Sequence, residues 1–285
     1  MTVFLGALAA VMFGVGDLVA GLGGRRDGSI NAPVGIAFVA SGVGAVLSGS
    51  YLLALSDDVF TGNDLYWAVA AAVFMSAARP LLYRGMAIGP IVVFAPIFAL
   101  VALVVPALLG VVVGQSLAPL EVIAVLVAIP AVVLMSSEHR LPRFSEFRSS
   151  TVVASAAMTG ALIGLGGLFL SFISDGAGAA PAFVVAVAGL AVIPLVARTI
   201  GLSVQITRTT TKFGLVVGCT SIVAIVLASI TYQRGNAAIG AALIGLSPGV
   251  SIALAWKFLH ERLWPIQIAG AVFGALTVIL FALGT

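Results

Sequence analysis

Apolar positions in this chain fall in long uncharged runs. Ile30–Ser56, Ser149–Ser174, Gly176–Ala197, Phe213–Gln233, Gly235–Trp256 and Leu263–Thr285 contain no Asp, Glu, Lys or Arg. Each exceeds the roughly 18–20 residues that a helix needs to cross a bilayer. Gly85–Leu120 is long enough for two crossings. Breaks between runs fall at Gly, Pro or clusters of charge, the residues that punctuate helices. The pattern predicts ten helices, at 2–22, 32–54, 64–86, 90–112, 119–136, 151–173, 180–197, 212–234, 238–258 and 265–283. The first run is interrupted by Asp17 and lacks the basic start of a secretory signal, so it is read as a membrane helix.

Composition agrees with the pattern. Of the 285 residues, 61% are hydrophobic and 8% charged, against about 25% charged in a soluble domain. The mean hydropathy is +1.25. A pI near 9.4 would suggest a nucleic-acid partner in a soluble protein. Here the basic residues sit at helix ends, where they act as topology signals, and no nucleic acid is expected. The lone cysteine, Cys219, cannot form an intrachain disulfide and is expected as a packed thiol.

The polar stretch 136–150, SSEHRLPRFSEFRSS, divides the chain. Residues 1–137 form one five-helix unit, 138–150 a linker, and 151–285 a second unit. The halves share landmarks in order. Aligning 114–135 with 260–281 places Leu117 on Leu263 and Pro119 on Pro265. Upstream, LYRGMAIG (82–89) matches YQRGNAAIG (232–240), and each is followed by a proline, Pro96 or Pro248. An odd number of crossings makes the second unit enter from the opposite side. The fold expected is therefore an all-α membrane protein of two inverted repeats around a central cavity, a plan typical of secondary transporters.

His260, Glu261 and Arg262 stand together in the last turn, matching Gly114–Ser116 of the first half. With no nucleophile or metal partner at a recognisable spacing, the cluster reads as structural, Glu261 capping the next helix. No Walker loop is present. His139 and His260 are far apart in connectors. No enzyme activity, metal or cofactor is expected.

Three stretches resemble the EamA family of the drug/metabolite transporter superfamily: MFGVGDLV in the first helix, LLYRGMAIGP ending the third, and residues 230–280. The similarity spans the chain, although GQSL stands where the first half of relatives has an acidic–Arg turn, and Phe13-Gly14 where many have Trp-Gly. The resemblance implies ten helices, a central cavity, and export or import of small metabolites, often amino acids. It also implies that the third helix lines the cavity, which carries over to Arg79 and Tyr83.

Counting Lys and Arg in alternate connections and helix ends gives twelve on one side, from Arg25 to Arg262, and only Arg234 on the other. By the positive-inside rule both termini face outside. Many relatives keep both ends in the cytoplasm.

Asp17 and Arg79 fall within predicted spans. A charge near the bilayer centre costs at least a few kcal/mol, so it faces a partner or a wet cavity. Two readings stand. Either the pair lines a polar cavity, binding a substrate's ammonium and carboxylate with Asp17 coupling transport to protons, or both side chains snorkel to the basic face. Phe13, Tyr83 and Tyr232 complete the candidate substrate site, and Pro96 and Pro248 are the candidate hinges. The function expected is a secondary active exporter of small polar metabolites such as amino acids, driven by protons or another coupling ion. It would work in the inner or plasma membrane of a bacterium, alone or as a homodimer. The alternatives are a non-transporting scaffold subunit, which would have a dry centre, and an enzyme on lipid-linked substrates.

Overall fold

The structure, a computed structural model, describes residues 1–54, 56–88, 91–137, 141, 150–260 and 262–284. It describes the side chains of all of these except 83, 86–88, 91, 92 and 150. Glu261 and nearly all of the 138–149 linker therefore lie outside the described residues, as does the side chain of Tyr83.

The described chain is helical throughout, without strands. In order, it runs α1 (Thr2–Asp27), α2 (Ala32–Ala54), α3 (Gly62–Ile88), α4 (Ile91–Val112), α5 (Pro119–Ser136), α6 (Ser150–Leu170), α7 (Ala180–Thr199), α8 (Arg208–Arg234), α9 (Ala237–Ile244), α10 (Ser247–Leu259) and α11 (Pro265–Gly284). With α9 and α10 taken as one interrupted crossing, ten stretches are long and apolar enough to span a membrane. This is a multi-pass integral membrane protein, as the runs predict.

Local chemistry accounts for where the helices depart from expectation. α1 continues past Gly21 to Asp27 because Arg25 and Arg26 in its last turn complement the helix dipole. It stops at Gly28, whose φ of 76° suits a left-handed cap. α8 starts at Arg208, ahead of the expected Lys212, because the Thr207 hydroxyl caps it by accepting from Thr210 N–H at 3.1 Å.

The ninth crossing was expected as one helix and is two. Leu246 N–H bonds to Leu243 C=O at 3.2 Å, and Gly249 N–H to Leu246 C=O at 3.0 Å, a tighter winding that turns the chain at Gly245–Leu246. Pro248 thus lies in the first turn of α10, where its missing N–H leaves no bond unmade. The bend belongs to Gly245–Leu246, and Pro248 starts the second segment. Cys219 also departs from expectation: it is exposed on α8.

The two halves interleave. α1 packs on α8 and α10, α2 on α7 and α8, α3 on α6 and α7, α4 on α6, and α5 on α11. Large apolar residues such as Leu108, Leu126, Leu195 and Val272 cover the outside, as lipid contact requires. At the end carrying the N-terminus, polar clasps join the halves. Asp64 accepts from Thr61 N–H, Ser174 N–H and both hydroxyls at 2.6–3.0 Å. Asp58 accepts from Ala179 N–H at 3.0 Å. At the opposite, basic end Thr207 donates to Asp27 at 2.8 Å, and Ser203 N–H to Asn31 at 3.0 Å.

The apolar core is uneven along the membrane normal. Two clusters fill the N-terminal end. One joins Val3, Leu103, Ala128, Ile239, Leu243 and Phe281 across α1, α4, α5, α9 and α11. The other gathers Ala68, Ala71, Leu170, Ile173 and Tyr232. At the basic end the clusters join only α2, α7 and α8 with a fringe of α1.

Candidate functional site

Asp17 is carried by a helix that two neighbours approach unusually closely. A Cβ on Gly14 would stand 2.6 Å from Val250 Cβ and 2.8 Å from Ser247 C=O of α10. A Cβ on Gly16 would meet the Thr220 hydroxyl of α8 at 3.1 Å. Ser251 fixes the α10 contact by donating to Gly14 C=O at 2.9 Å. The Gly-x-Gly of MFGVGDLV therefore packs α1 between α8 and α10 and delivers the next residue, Asp17, at a fixed height. Phe13, one turn earlier, is half-buried against the cluster of Ala72, Val185, Ile222 and Ile225.

Height follows from helix rise. Asp17 lies roughly 15 Å from the Asp27 end of α1, half of a hydrocarbon core about 30 Å thick. Ser41 on α2 and Thr220 on α8 fall at roughly 14–18 Å from the same basic end. These residues share the central layer.

Asp17 is exposed in this layer, yet it does not look at lipid. The outward face of α1 carries Phe4 and Val11, and Asp17 is rotated from Val11 by about 120° at 100° per residue. The Arg79 charge acts on it through space. α1 and α3 make no extensive contact, and each charge is held by its own helix in the same central layer. One turn towards the basic end Gly21 is also exposed, with nothing within 4 Å of its missing side chain. One to three turns towards the other end, Gly6, Ala9, Ala10 and Gly14 are buried. On this side of α1 the exposed positions, Asp17 and Gly21, therefore lie towards the basic end.

Arg79 is half-buried and donates from Nη1 to the Ser41 hydroxyl at 3.2 Å. Pro80, lacking an N–H, leaves the carbonyl of Ser76 without its helical donor. The Ser76 hydroxyl, fully buried, has no partner among the described residues. An unmet buried hydroxyl costs about 1–3 kcal/mol. Its place one turn from Arg79 marks polar capacity that a ligand or water can take up.

Of the residues predicted from sequence, Asp17 and Arg79 lie in one layer, and Phe13 packs into the cluster of Ala72, Val185, Ile222 and Ile225. Tyr232 does not join them. It is 7% exposed and sits on α8 roughly 18 Å along the axis from Thr220. Its ring lies against Gly240 and its hydroxyl beside Gly167. Tyr83 lies on α3 one turn past Arg79, its side chain outside the described residues. Pro96 is buried within α4. Ser41 and Ser76 were not singled out by sequence, since small residues in apolar helices read first as close-packing positions. Proline directly after an intramembrane arginine was the available signal for Ser76. Among the described residues no cluster of His, Cys, Asp or Glu has the makings of a metal site.

No family model and no curated protein matches the chain. Solved structures do. One, described only as the crystal structure of a protein, superimposes with a TM-score of 0.76 over 99% of this chain and 96% of its own, at 14% identity. A likeness at that identity establishes a shared fold and leaves activity to be argued from the site.

Proposed function

We propose that the chain is a secondary active carrier, built of two inverted five-helix repeats, that moves small polar metabolites by alternating access. The observation that carries this reading is Asp17 exposed at mid-membrane, in the same layer as Arg79 and within reach of its charge. A scaffold subunit has no use for two charges held there at a cost of several kcal/mol. One acid and one base in one layer suit a zwitterion, and amino acids are the substrate class proposed. Asp17 is the proposed proton-coupling group.

Support for the repeat comes from packing. Exchange each helix of the first half for its counterpart in the second, and the most extensive contacts map onto one another, while lesser ones such as α1 on α2 and α6 on α8 have no such counterpart. α1 on α8 becomes α6 on α3; α2 on α8 becomes α7 on α3; α4 on α6 becomes α9–α10 on α1. Glycines obey the same exchange: Gly14 and Gly16 of α1 meet α10 and α8, while Gly164 and Gly166 of α6 meet α4 and α3. In that register Gly167 stands where the first half has Asp17. The charge belongs to one half, and in the other a tyrosine hydroxyl fills the space.

The N-terminal end is filled by the two apolar clusters, and the exposed positions at and beyond Asp17 lie towards the basic end, which favours an opening on that side. With the basic end in the cytoplasm and both termini outside, this is the inward-open state of a bacterial inner-membrane exporter, the state that loads substrate from the cell. Resemblance to the EamA family favours the same reading.

The test is flux into or out of proteoliposomes, measured for a panel of labelled amino acids with and without a pH gradient. Saturable transport of at least one, and loss of its pH dependence in Asp17→Asn, are expected. Absence of flux for every amino acid would remove the substrate class, and a pH response intact in Asp17→Asn would remove the coupling role.

A further inference from the structure

The turn between α10 and α11 forms a groove that transport through the centre leaves unused. It holds about 520 Å³ and is lined by Trp256, His260, Arg262, Leu263 and Ile268. α10 ends at Leu259 and α11 begins at Pro265, so the groove lies at the edge of the hydrocarbon layer on the basic end.

It faces outward. α11 buries Gly270, Gly274, Thr277 and Phe281, and packs chiefly on α5. Ile268 and Val272, 49% and 65% exposed, lie on the opposite side of the helix at 100° per residue. An apolar track thus leads from the groove down into the bilayer. At its top, Arg262 is exposed and makes no hydrogen bond or ion pair with any described residue. Neighbouring Lys257 is placed differently, with its ammonium 5.7 Å from the ring centre of Phe258. His260 caps α10 at φ 55°, the one left-handed non-glycine residue among those described. Glycine would make that turn with less strain, but the imidazole gives the groove a nitrogen donor beside the Arg262 guanidinium and the Trp256 indole N–H.

We propose that this groove binds the headgroup of an anionic phospholipid. Its phosphodiester sits against the Arg262 guanidinium and the His260 ring, and one acyl chain runs along Ile268 and Val272. The parts match the ligand. Guanidinium pairs with phosphate through two parallel hydrogen bonds, tryptophan settles at the headgroup level, and basic pockets between helix ends select anionic headgroups. The assignment stands on this surface alone and holds whether or not the chain is a carrier.

Trp256 supplies its own reporter. In a Trp67→Phe, Trp264→Phe variant it is the sole tryptophan, and quenching by dibrominated phosphatidylglycerol is compared with quenching by dibrominated phosphatidylcholine at equal mole fraction in vesicles. The expected result is about a fivefold preference for phosphatidylglycerol, the size of one basic contact at the membrane surface. That preference falls to one in Arg262→Gln and stays in Arg25→Gln, whose charge lies at the same end outside the groove. Native mass spectrometry of the unsubstituted protein titrated with the two lipids reads the same preference without the tryptophan changes. Equal quenching by both lipids overturns the assignment outright, and equal loss in Arg25→Gln and Arg262→Gln replaces it with general surface charge.

Discussion

Glu121 and Gln267 do the same work in the two halves. Glu121 Oε2 accepts from Ala118 N–H at 2.7 Å, and Gln267 Oε1 from Trp264 N–H at 3.1 Å. Each is the third residue of its helix and reaches back to close the first turn, as in a capping box. In the alignment that pairs Pro119 with Pro265 they fall on one another. Charge is incidental to this bond, so Glu121→Gln should leave thermal stability in detergent nearly unchanged. Gln267→Glu, by contrast, keeps the cap but loses the bond that Gln267 Nε2 donates to Ser137 C=O at 3.2 Å. Alanine at either site should cost about 1 kcal/mol. A Glu121→Gln swap as damaging as alanine would show that the shared position is accidental.

The close approach of α10 to α1 sets a second expectation. A methyl on Gly14 must displace Val250 Cβ or the Ser247 carbonyl, whereas one on Gly16 meets the Thr220 hydroxyl at 3.1 Å and the Ser221 hydroxyl at 3.5 Å. Gly14→Ala is expected to lower stability by about 1–3 kcal/mol, and Gly16→Ala by much less. Adding Val250→Ala should restore part of the Gly14→Ala loss. Equal thermal midpoints for the two alanine variants would contradict the packing.

Arg79 is held by Ser41. Under the proposed function, Ser41→Ala should weaken positioning without removing the charge, raising KM for the amino-acid substrate about tenfold or more while the maximal rate changes little. Lost hydrogen bonds to a charged group are worth about 1.5–3 kcal/mol, so a fully destructive outcome would point to misfolding and an unaltered KM to a role elsewhere.

Orientation is open to direct labelling. Asp57 lies at the N-terminal end and Ser203 at the basic end, both exposed. In a Cys219→Ser background, Asp57→Cys should react with an impermeant thiol reagent on intact cells and Ser203→Cys should not. The reverse pattern would place the termini inside and turn the open state outward.

Much of this architecture was legible in the chain, because length and apolarity alone define a bilayer crossing. α5 falls at 119–136 as read from the runs, and among the described residues the Lys and Arg of the helix ends, Arg234 apart, lie at one end. The bend at Gly245–Leu246 was not legible: it depends on a local tightening between two helical residues, and the nearby proline drew attention away from it. Tyr232 was read as a partner of Tyr83 in a binding site, since tyrosine pairs with polar ligands as readily as with a glycine surface. Only the packing shows its ring spent on Gly167 and Gly240. Ser41 and Ser76 were hidden because a serine facing a charge and a serine easing a helix contact look alike in sequence.

Gln115 is the residue whose removal should open the sealed end. Its amide donates to the Ser171 hydroxyl at 2.8 Å, and its carbonyl accepts from Ala237 N–H at 2.8 Å. Asn236 adds a bond to Ser116 C=O at 3.2 Å. One side chain in the α4–α5 turn thus ties the end of α6 to the start of α9, directly over the larger apolar cluster. Alternating access requires these contacts to break when the N-terminal end opens. Gln115→Leu keeps the size and deletes both hydrogen bonds, worth about 0.5–1.5 kcal/mol each, so the population open at that end should rise about fivefold or more. Ala238, 2% exposed beneath the clasp, reports it. In a Cys219→Ser background, Ala238→Cys should react slowly with an impermeant thiol reagent, and severalfold faster once Gln115→Leu is added. Identical rates in both backgrounds would mean that the seal is held by the apolar cluster without the clasp, and Gln115 would be left with a purely local role in the turn.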